Sequence, residues 1–430
     1  MTQPLSDQQQ LFAYQEDPLA STNTTVFLDN MSLPVHRWFR YSAGFSATWV
    51  EEVIRSVDEP HSINILDPFV GSGTTCIAAQ MVGASSIGIE SHPFVARLAR
   101  AKLSWDTDPA AFIKKAHGVL RAARPPSELD KVPPLLEKCF LPESLAKLLS
   151  LRDTIDKMSD LEPIDELLWL ALINILRQCS PVGTAQWQYV LPNKRKARTA
   201  EPYFAFQAQV AMMAQDMERM RRRTQFGAAH VQMGDARVCS GIPSGWAHLL
   251  VTSPPYPNNF DYADATRVEM TFLGEVEGWG DLQEKVRKYL VRSCSQHMTK
   301  SYQAEAALQS ELLAPIAAEL ATVYRALEEL RAVRAGHKAY DSMVVAYFHD
   351  LSRVWRSLRR VMAPDSKVCF VVGDSAPYGV YVPVDKWLGE LALAAGFKAY
   401  SFEKLRDRNI KWKNRKHRVP LHEGRLWVEG

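Results

Sequence analysis

Long apolar runs, paired cysteines and a strong net charge are all missing from this 430-residue sequence, and each absence removes a class of protein. The longest apolar run, Leu167–Leu176, is about half of the ~20 residues that a membrane-spanning helix needs. The six cysteines form no Cys-x-x-Cys pair, which argues against a zinc ribbon or a redox couple. A formal charge of +3 does not by itself indicate a polyanionic partner. With 47% hydrophobic and 23% charged residues, the composition is that of a globular protein of two or three lobes, with reduced, buried thiols.

Positive charge is nevertheless concentrated in three short segments. Four of the five residues from Lys194 to Arg198 are basic, and so are four of the five from Arg219 to Arg223. The segment from Lys404 to Arg418 contains eight Lys or Arg residues and a single acid. Each run alone is typical of a solvated surface, but three runs in a near-neutral chain favour a surface that contacts phosphates.

Residues 31–105 have the pattern of an α/β domain. An apolar strand is predicted at Ser62–Leu66, followed by a glycine-rich turn and a helix over Thr74–Val82 that ends at Gly83. A second short strand is predicted at Ser86–Glu90. Strand, tight turn, helix and strand form a βαβ unit, which predicts a parallel sheet.

The rest of the chain alternates between helical and sheet-like segments. Residues 106–224 are predicted to be a helical insertion, and residues 225–430 return to the sheet around a second helical excursion at about 263–360. Residues 1–30 are predicted to be a polar arm without a secretory leader. Further strands are predicted at Ala229–Met233, His248–Thr252, Lys367–Val372, Lys398–Phe402 and Arg425–Val428.

The turn between the first strand and the first helix reads Asp-Pro-Phe-Val-Gly-Ser-Gly-Thr-Thr, residues 67–75. Its glycines allow a ligand to approach the backbone closely, and the helix N-terminus that follows favours acceptor atoms. It is not a phosphate-binding P-loop because no Gly-Lys-Ser/Thr follows, and Cys76 replaces the third glycine of a dinucleotide fingerprint. Glu90 ends the next strand, 19 residues after Gly71, where an acid would bind ribose hydroxyls. Together with Asp67, the pattern predicts a nucleoside-type cofactor.

The tetrapeptide Ser253-Pro254-Pro255-Tyr256 directly follows an apolar strand. Taken alone it is most simply a loop stiffened by proline. A functional interpretation concerns the exocyclic amines of nucleobases, which are poor nucleophiles because their lone pair is delocalised into the ring. The Ser253 hydroxyl and the Pro254 carbonyl would accept the two N–H bonds of such an amine. Tyr256 would stack on a base flipped out of its helix.

The two motifs together resemble the S-adenosylmethionine-dependent DNA amino-methyltransferases, the cytosine-N4 and adenine-N6 enzymes of the Ser-Pro-Pro-Tyr type. The resemblance covers roughly residues 36–105 and 230–260, and it implies a Rossmann-like methyltransferase sheet with inserted helical lobes. It also implies S-adenosyl-L-methionine as the cofactor and double-stranded DNA as the substrate. By this resemblance the catalytic loop consists of Ser253, Pro254, Pro255 and Tyr256, and the cofactor contacts Phe45, Asp67, Phe69, Gly71, Gly73, Thr74, Glu90 and Asp235.

The resemblance assigns a distinct role to each of three acids. Asp67 would bind the methionyl ammonium, Glu90 the ribose hydroxyls and Asp235 the adenine amine, while Phe45 would line the methionine side. The cofactor motif precedes the catalytic motif by 186 residues (Asp67 to Ser253), an order that in the family places target recognition in the intervening residues 106–224. The resemblance further suggests a cytoplasmic enzyme with a companion restriction endonuclease.

Several alternatives remain open at this point. The same fold could methylate RNA, for instance a guanine N2 of tRNA, or could be an inactive regulator that only binds nucleic acid. Within DNA, cytosine N4 is favoured over adenine N6 because Ser253 stands where most adenine-specific relatives carry aspartate. No Pro-Cys dipeptide occurs, which argues against a carbon-5 cytosine methyltransferase. The histidines show no metal-ligand spacing, no metal is expected, and His36 and His92 are expected in turns or at the surface.

Overall fold

The computed structural model describes residues 27–408 and 419–430, apart from residues 42, 43, 58, 125, 186–188, 223–225, 300 and 335. Nine strands lie in this part of the chain: β1 (Asn64–Asp67), β2 (Ser85–Glu90), β3 (Val182–Thr184), β4 (Val190–Arg195), β5 (Ala229–Met233), β6 (Ala247–Thr252), β7 (Met362–Gly373), β8 (Ala399–Arg408) and β9 (Leu421–Glu429). Seven of them form one sheet in the order β5-β2-β1-β6-β7-β9-β8, and β3 and β4 form a separate hairpin.

The first five strands in that order are parallel, and β9 runs antiparallel between β7 and β8. The carboxyl ends of the parallel strands therefore meet at one edge of the sheet. The predicted α/β class, with a mostly parallel sheet interrupted by helical segments, is confirmed. The helices of the described residues are α1 (Ala47–Arg55), α2 (Thr74–Val82), α3 (Pro93–Leu103), α4 (Pro109–Ala122), α5 (Pro134–Cys139), α6 (Pro142–Lys157), α7 (Pro163–Cys179), α8 (Pro202–Arg221), α9 (Tyr262–Ala265), α10 (Arg267–Phe272), α11 (Trp279–Lys285), α12 (Ala304–Leu308), α13 (Ala317–Val333), α14 (Tyr340–Val361) and α15 (Val384–Ala394).

Alternating side chains along the central strands pack against different helical layers. Ile65, Leu249 and Val251 belong to the apolar cluster of α1 and α2, on one face of the sheet. Leu66 and Leu250 belong to the cluster of α14 and α15, on the opposite face. Burying one such side chain stabilises the fold by about 1.5–3 kcal/mol, so this alternation holds the strand ends in register. Each strand end can thus carry polar groups without loosening the sheet.

The helical segment between α3 and β5 packs directly onto the α/β layer. Its buried residues form one continuous apolar cluster with α3, and the cluster also includes residues of α10 and α11. The sequence pattern predicted helices here and missed the hairpin β3–β4, because a three-residue strand offers no periodic signal. The Ala185 N–H donates to the Tyr189 carbonyl across the turn of this hairpin (2.8 Å).

Two histidines that were expected in turns or at the surface are buried, although His92 does lie in the bend before α3. His36 and His92 are buried, with 5% and 1% of their surface exposed, rather than lying at the surface. Burial lowers the pKa of His36 to about 3 and that of His92 to about 4, so both rings are neutral at physiological pH. The expectation of buried thiols is confirmed, since all six cysteines are free and buried. No helix of the described residues is long and apolar enough to cross a membrane.

Candidate active site

The two sequence motifs meet at the carboxyl edge of the sheet. Asp67 ends β1, Glu90 ends β2 and Thr252 ends β6, and these three strands are neighbours. A cavity that opens to solvent lies at this edge. Its wall consists of Tyr41, Phe69, Gly71, Glu90, Ser91, His92, Ser253, Pro255, Tyr262, Leu290 and Val291. Phe69 and Ser253, which are 184 positions apart in the sequence, thus line one cavity.

Asp67 is a buried acid, with 1% of its surface exposed, at the base of the glycine-rich turn. Its Oδ1 accepts hydrogen bonds from the Thr252 hydroxyl (2.5 Å) and the Phe69 N–H (3.0 Å). Its Oδ2 is buried without a hydrogen-bond partner among the described residues. Burial raises the pKa of Asp67 to about 6, although the Thr252 hydrogen bond opposes this effect. The free oxygen leaves Asp67 able to accept from a cationic donor.

Both glycines of the turn adopt backbone angles that side chains other than glycine rarely reach. Gly71 has φ +52° and Gly73 has φ +89°, and Gly73 immediately precedes α2. A Cβ on Gly71 would lie 3.3 Å from Cε1 of Tyr41, a contact tighter than normal packing allows. The turn therefore brings its backbone to the cavity wall because it has no side chain there. Thr74, the first residue of α2, is buried behind it.

Glu90 links the two turns that follow β1 and β2. One carboxylate oxygen accepts from the Gly71 N–H (3.0 Å) and the other from the His92 N–H (2.9 Å). Burial raises the pKa of Glu90 to about 7. The carboxylate lines the cavity and each of its oxygens retains a further lone pair, so it can still accept from hydroxyl groups of a ligand.

The Ser253 loop is fixed to neighbouring strands by hydrogen bonds. The Ser253 hydroxyl donates to the carbonyl of Val371 on β7 (3.2 Å), so its oxygen lone pairs remain available as acceptors. The Ser375 hydroxyl donates to the Pro257 carbonyl (2.5 Å) just after the motif. Ser253 and Pro255 line the cavity, and Pro254 is buried behind them.

Tyr256 lies next to the cavity lining rather than within it. Its ring is covered by the guanidinium of Arg408, 5.2 Å from the ring centroid. Arg408 is itself held by donation to the carbonyl of Asp374 (2.7 Å). Burial raises the pKa of Tyr256 well above its usual range, so the phenol stays neutral.

Of the eight sequence-predicted cofactor residues, Phe69, Gly71 and Glu90 line the cavity. The other five do not: Asp67, Gly73 and Thr74 belong to the glycine-rich turn and the start of α2, and Phe45 and Asp235 lie further away. Phe45 is buried in the cluster below the sheet, where its ring packs edge-on against Trp49 (centroids 6.0 Å apart). Asp235 lies beyond the end of β5 and forms an ion pair with Arg237 (2.9 Å). Arg237 also approaches the buried Asp350 (3.3 Å), so the Asp235 carboxylate is part of a charge network that extends into the interior.

Other cavity residues were missed by the sequence reasoning. Tyr262, Leu290 and Val291 come from the second helical excursion, whose pattern carries no motif. His92 was expected elsewhere, yet its Nε2 lies 2.9 Å from the Thr266 hydroxyl and its ring borders the cavity. Tyr41 could have been found, because it lies four residues before Phe45, to which the resemblance assigns a cofactor contact.

Within the described residues, three side chains outside the cavity lie close enough together to share a metal ion. They are Asp374, Asp385 and His422. The His422 Nδ1 lies 2.8 Å from Asp374, and the Tyr381 hydroxyl donates to the same carboxylate (2.9 Å). These short contacts describe a hydrogen-bonded network that holds β7 against β9.

Comparison with known proteins identifies the family behind this arrangement. Residues 5–101 match the DNA methylase family of N6- and N4-methyltransferases. The chain is 24% identical to the type II methyltransferase M.BsoBI of Geobacillus stearothermophilus. The alignment is 430 positions long and covers 88% of this chain and 82% of that protein. It is also 24% identical, with the same coverage of both chains, to the type II methyltransferases M.AvaI of Nostoc sp. and of Anabaena variabilis. Family members use S-adenosylmethionine as the methyl donor. The resemblance predicted from the two motifs is confirmed: the chain is similar to DNA methyltransferases of the N4/N6 amino-methyltransferase family.

Proposed function

We propose that this protein transfers a methyl group from S-adenosylmethionine to the N4 amine of a cytosine flipped out of duplex DNA. The observation that carries the proposal is the single cavity at the sheet edge. Gly71 and Glu90 form one side of it, and Ser253 and Pro255 form another. A cofactor and a base bound in this space would lie next to each other, which is the main requirement of a direct transfer.

The residues that line the cavity, together with the buried Asp67 at the base of the glycine-rich turn, fit the cofactor. The unpartnered Oδ2 of Asp67 suits the methionyl ammonium, and the Glu90 carboxylate suits ribose hydroxyls. The backbone of Gly71 forms a cradle that a Cβ would fill. When bound, S-adenosylmethionine supplies a methyl group that its sulfonium has already activated. Asp235 and Phe45 lie outside the cavity lining, so they would contact the cofactor only where it extends beyond the lining residues.

The Ser253 loop provides acceptors for an exocyclic amine. The Ser253 hydroxyl already donates its proton to Val371, so its oxygen would accept one amine N–H bond. The Pro254 carbonyl would accept the other. Two acceptors of this kind favour a pyramidal nitrogen with a localised lone pair, which makes the amine a better nucleophile. Tyr256, with Tyr262 on the cavity wall, would contribute the aromatic face for the flipped base.

Ser253 also supports cytosine over adenine. A hydroxyl accepts from the amine and can rotate from Val371 to donate to the ring nitrogen N3, whereas a carboxylate only accepts. Adenine has a comparable ring nitrogen, so the Ser253 hydroxyl favours cytosine without excluding adenine.

The wider setting follows from the same proposal. The helical segment of residues 106–224 would recognise the target, and residues 31–105 and 225–430 would form the two halves of the catalytic domain. The type II designation of the relatives supports a restriction–modification system with a companion endonuclease, acting in the cytoplasm.

The test is to methylate duplex DNA with isotopically labelled cofactor, digest the DNA and separate the nucleosides by mass spectrometry. The proposal expects the label on N4-methylcytosine. Label found only on N6-methyladenine would refute the cytosine assignment and keep the family. Label found on tRNA guanine but not on DNA would refute the DNA substrate.

A further inference from the structure

We propose that the hairpin β3–β4 is a DNA-contacting element beside the active site, which holds the duplex backbone through Lys194, Arg195 and Arg198. The inference rests on the proposed function, because it assumes a duplex DNA substrate. It narrows the recognition segment of residues 106–224 to one β-ribbon and its basic end.

The turn end of the hairpin is attached to the cavity wall. The Tyr189 hydroxyl accepts from the backbone N–H of Asp261 (2.7 Å). The Tyr189 ring packs on Phe260 (centroids 5.5 Å apart), and Phe260 packs on Tyr262 (4.5 Å). Tyr262 lines the cavity. A chain of three aromatic rings thus fixes the hairpin relative to the place where a base would enter.

The basic end of the hairpin carries exposed charge without acidic partners. Lys194, Arg195 and Arg198 are exposed, and within the described part of the chain no Asp or Glu forms an ion pair with them. Lys196 differs, because its Nζ donates to the carbonyls of Arg177 (2.6 Å) and Ser180 (3.2 Å) after the last turn of α7. Lys196 therefore anchors the hairpin, and the other three cations are free for an outside partner.

The described cations of the other two basic runs are arranged differently. Lys404 pairs with Asp407 and Arg406 with Glu423, both at 2.6 Å. The remainder of that run, residues 409–418, lies outside the described residues. In the run at Arg219–Arg223, Arg219 and Arg221 lie in the last turn of α8, and Arg221 pairs with Asp108 (3.7 Å). The next strand of the chain is β5, whose first residue lies at the sheet edge opposite the cavity. Of the three runs, only the hairpin run combines described, unpaired cations with a fixed link to the cavity.

The dimensions of the hairpin match duplex DNA. A two-stranded β-ribbon fits the major groove, which is about 12 Å wide. Lys194 follows Tyr189 by five residues, so it lies about 17 Å along β4 from the cavity wall at ~3.3 Å per residue. That separation corresponds to about five base-pair steps along the duplex, at one phosphate per ~3.4 Å of axis on each strand. The cations can therefore contact phosphates while the target base occupies the cavity.

The experiment compares two triple variants of the full-length protein. In the first, Lys194, Arg195 and Arg198 are each replaced by Gln. In the second, the matched control, Arg219, Arg221 and Arg222 are each replaced by Gln, which removes the same charge at the opposite sheet edge. Duplex-DNA affinity is measured against salt concentration, and S-adenosylmethionine binding by thermal shift confirms that each variant folds.

We expect the hairpin variant to bind DNA roughly 10- to 100-fold more weakly and to lose about 2–3 from the slope of log K against log salt, with cofactor binding unchanged. The control variant should lose less than a third of the slope that the hairpin variant loses. An unchanged slope in the hairpin variant, an equal loss in both variants, or tighter binding of structured RNA than of duplex DNA would each overturn the inference. Failure of the proposed function would look different: the wild-type protein would bind the cofactor without methylating DNA.

Discussion

Asp67 and Glu90 are acids whose burial opposes their ionisation before any ligand arrives. Their pKa values, raised to about 6 and about 7, lie above the usual carboxyl range because both groups sit at the ends of interior strands. The Thr252 hydroxyl and the backbone N–H groups of Phe69, Gly71 and His92 offset part of that cost. The carboxylates are thus held in position, and a ligand with a cation or hydroxyls would complete their hydrogen bonding.

Cofactor affinity should therefore depend on pH. As pH falls through about 7 and then about 6, Glu90 and Asp67 gain protons and lose their negative charge, so cofactor binding should weaken. Asp67→Asn should reduce affinity roughly 10- to 100-fold, since a hydrogen bond to a charged group contributes about 1.5–3 kcal/mol. Calorimetric titration between pH 5 and 8 measures this. A wild-type affinity that stays flat over this range would contradict the raised pKa values.

The same pKa shifts set the stability of the free protein. For an acid whose folded pKa exceeds its unfolded pKa, the folded state binds protons more tightly. Stability therefore falls as pH rises from the unfolded value to the folded value and is constant above it. Asp67 contributes this loss of stability between about pH 4 and about pH 6. Urea unfolding of wild type and Asp67→Asn over this range should show a smaller pH dependence in the variant.

Tyr256 should matter for turnover and little for cofactor binding. Tyr256→Ala removes the aromatic face proposed for the flipped base, and base stacking contributes about 1–3 kcal/mol. We expect methylation to fall roughly 10- to 100-fold while cofactor affinity changes by less than about 3-fold. Tyr256→Phe, the matched control, keeps the ring and should stay within a few-fold of wild type. A parallel loss of cofactor affinity in Tyr256→Ala would show that the roles are not divided in this way.

Among individual residues, Asp67, Glu90, the glycine-rich turn and the Ser253 loop were predictable from the sequence, because each follows an apolar strand and a recognisable turn. The sequence could not predict that Oδ2 of Asp67 is unpartnered or that Arg408 covers Tyr256, since both depend on side chains from distant strands. The misplacement of His92 has the same origin. Its neighbour Pro93 suggested a turn, but Pro93 begins α3 and His92 is enclosed by the residues that follow β6.

Among the elements, α8 is tied to the segment before α1 through a single buried acid. Asp216 on α8 accepts from the guanidinium of Arg37 (2.9 and 2.6 Å) and from the indole N–H of Trp38 (3.0 Å). Asp216 is fully buried, so its charge depends on these donors. This contact joins residues about 180 apart and packs the helical insertion against the segment before α1.

Asp216→Ala should destabilise the fold by about 3 kcal/mol, because it removes one partner of a buried ion pair and leaves donors unpaired. Chemical denaturation of the full chain measures the loss. Asp365→Asn is the control, since Asp365 makes a single exposed ion pair with Lys398 and asparagine tolerates the positive φ of this position (+58°), so stability should change little. Equal stability of the two variants would show that Asp216 is not a link between the elements.

The strand-turn-helix elements were predictable because glycine, proline and apolar alternation mark their ends. The helix over Thr74–Val82 and the strand Ala229–Met233 have the predicted bounds. The hairpin β3–β4 and the Asp216 contact were not predictable, because short strands and buried acids depend on tertiary neighbours for their stability.

Across the whole molecule, the sheet order accounts for the distance between the motifs in the sequence. β1 and β6 are adjacent in the sheet although a helical insertion separates them along the chain. The insertion leaves the sheet after α3 and returns before β5, so the cofactor motif and the Ser253 loop remain at one edge. The second excursion, between β6 and β7, closes the cavity with Tyr262, Leu290 and Val291.

The central claim is that the two motifs form one active site for a base in DNA. It is tested most directly by reading the modified bases in DNA from cells that produce either the wild-type protein or Ser253→Ala at equal levels. The account predicts N4-methylcytosine within one short sequence context in the wild-type sample, and its loss with Ser253→Ala. No new modified base from a folded wild-type protein that binds the cofactor, or an undiminished signal with Ser253→Ala, would contradict it.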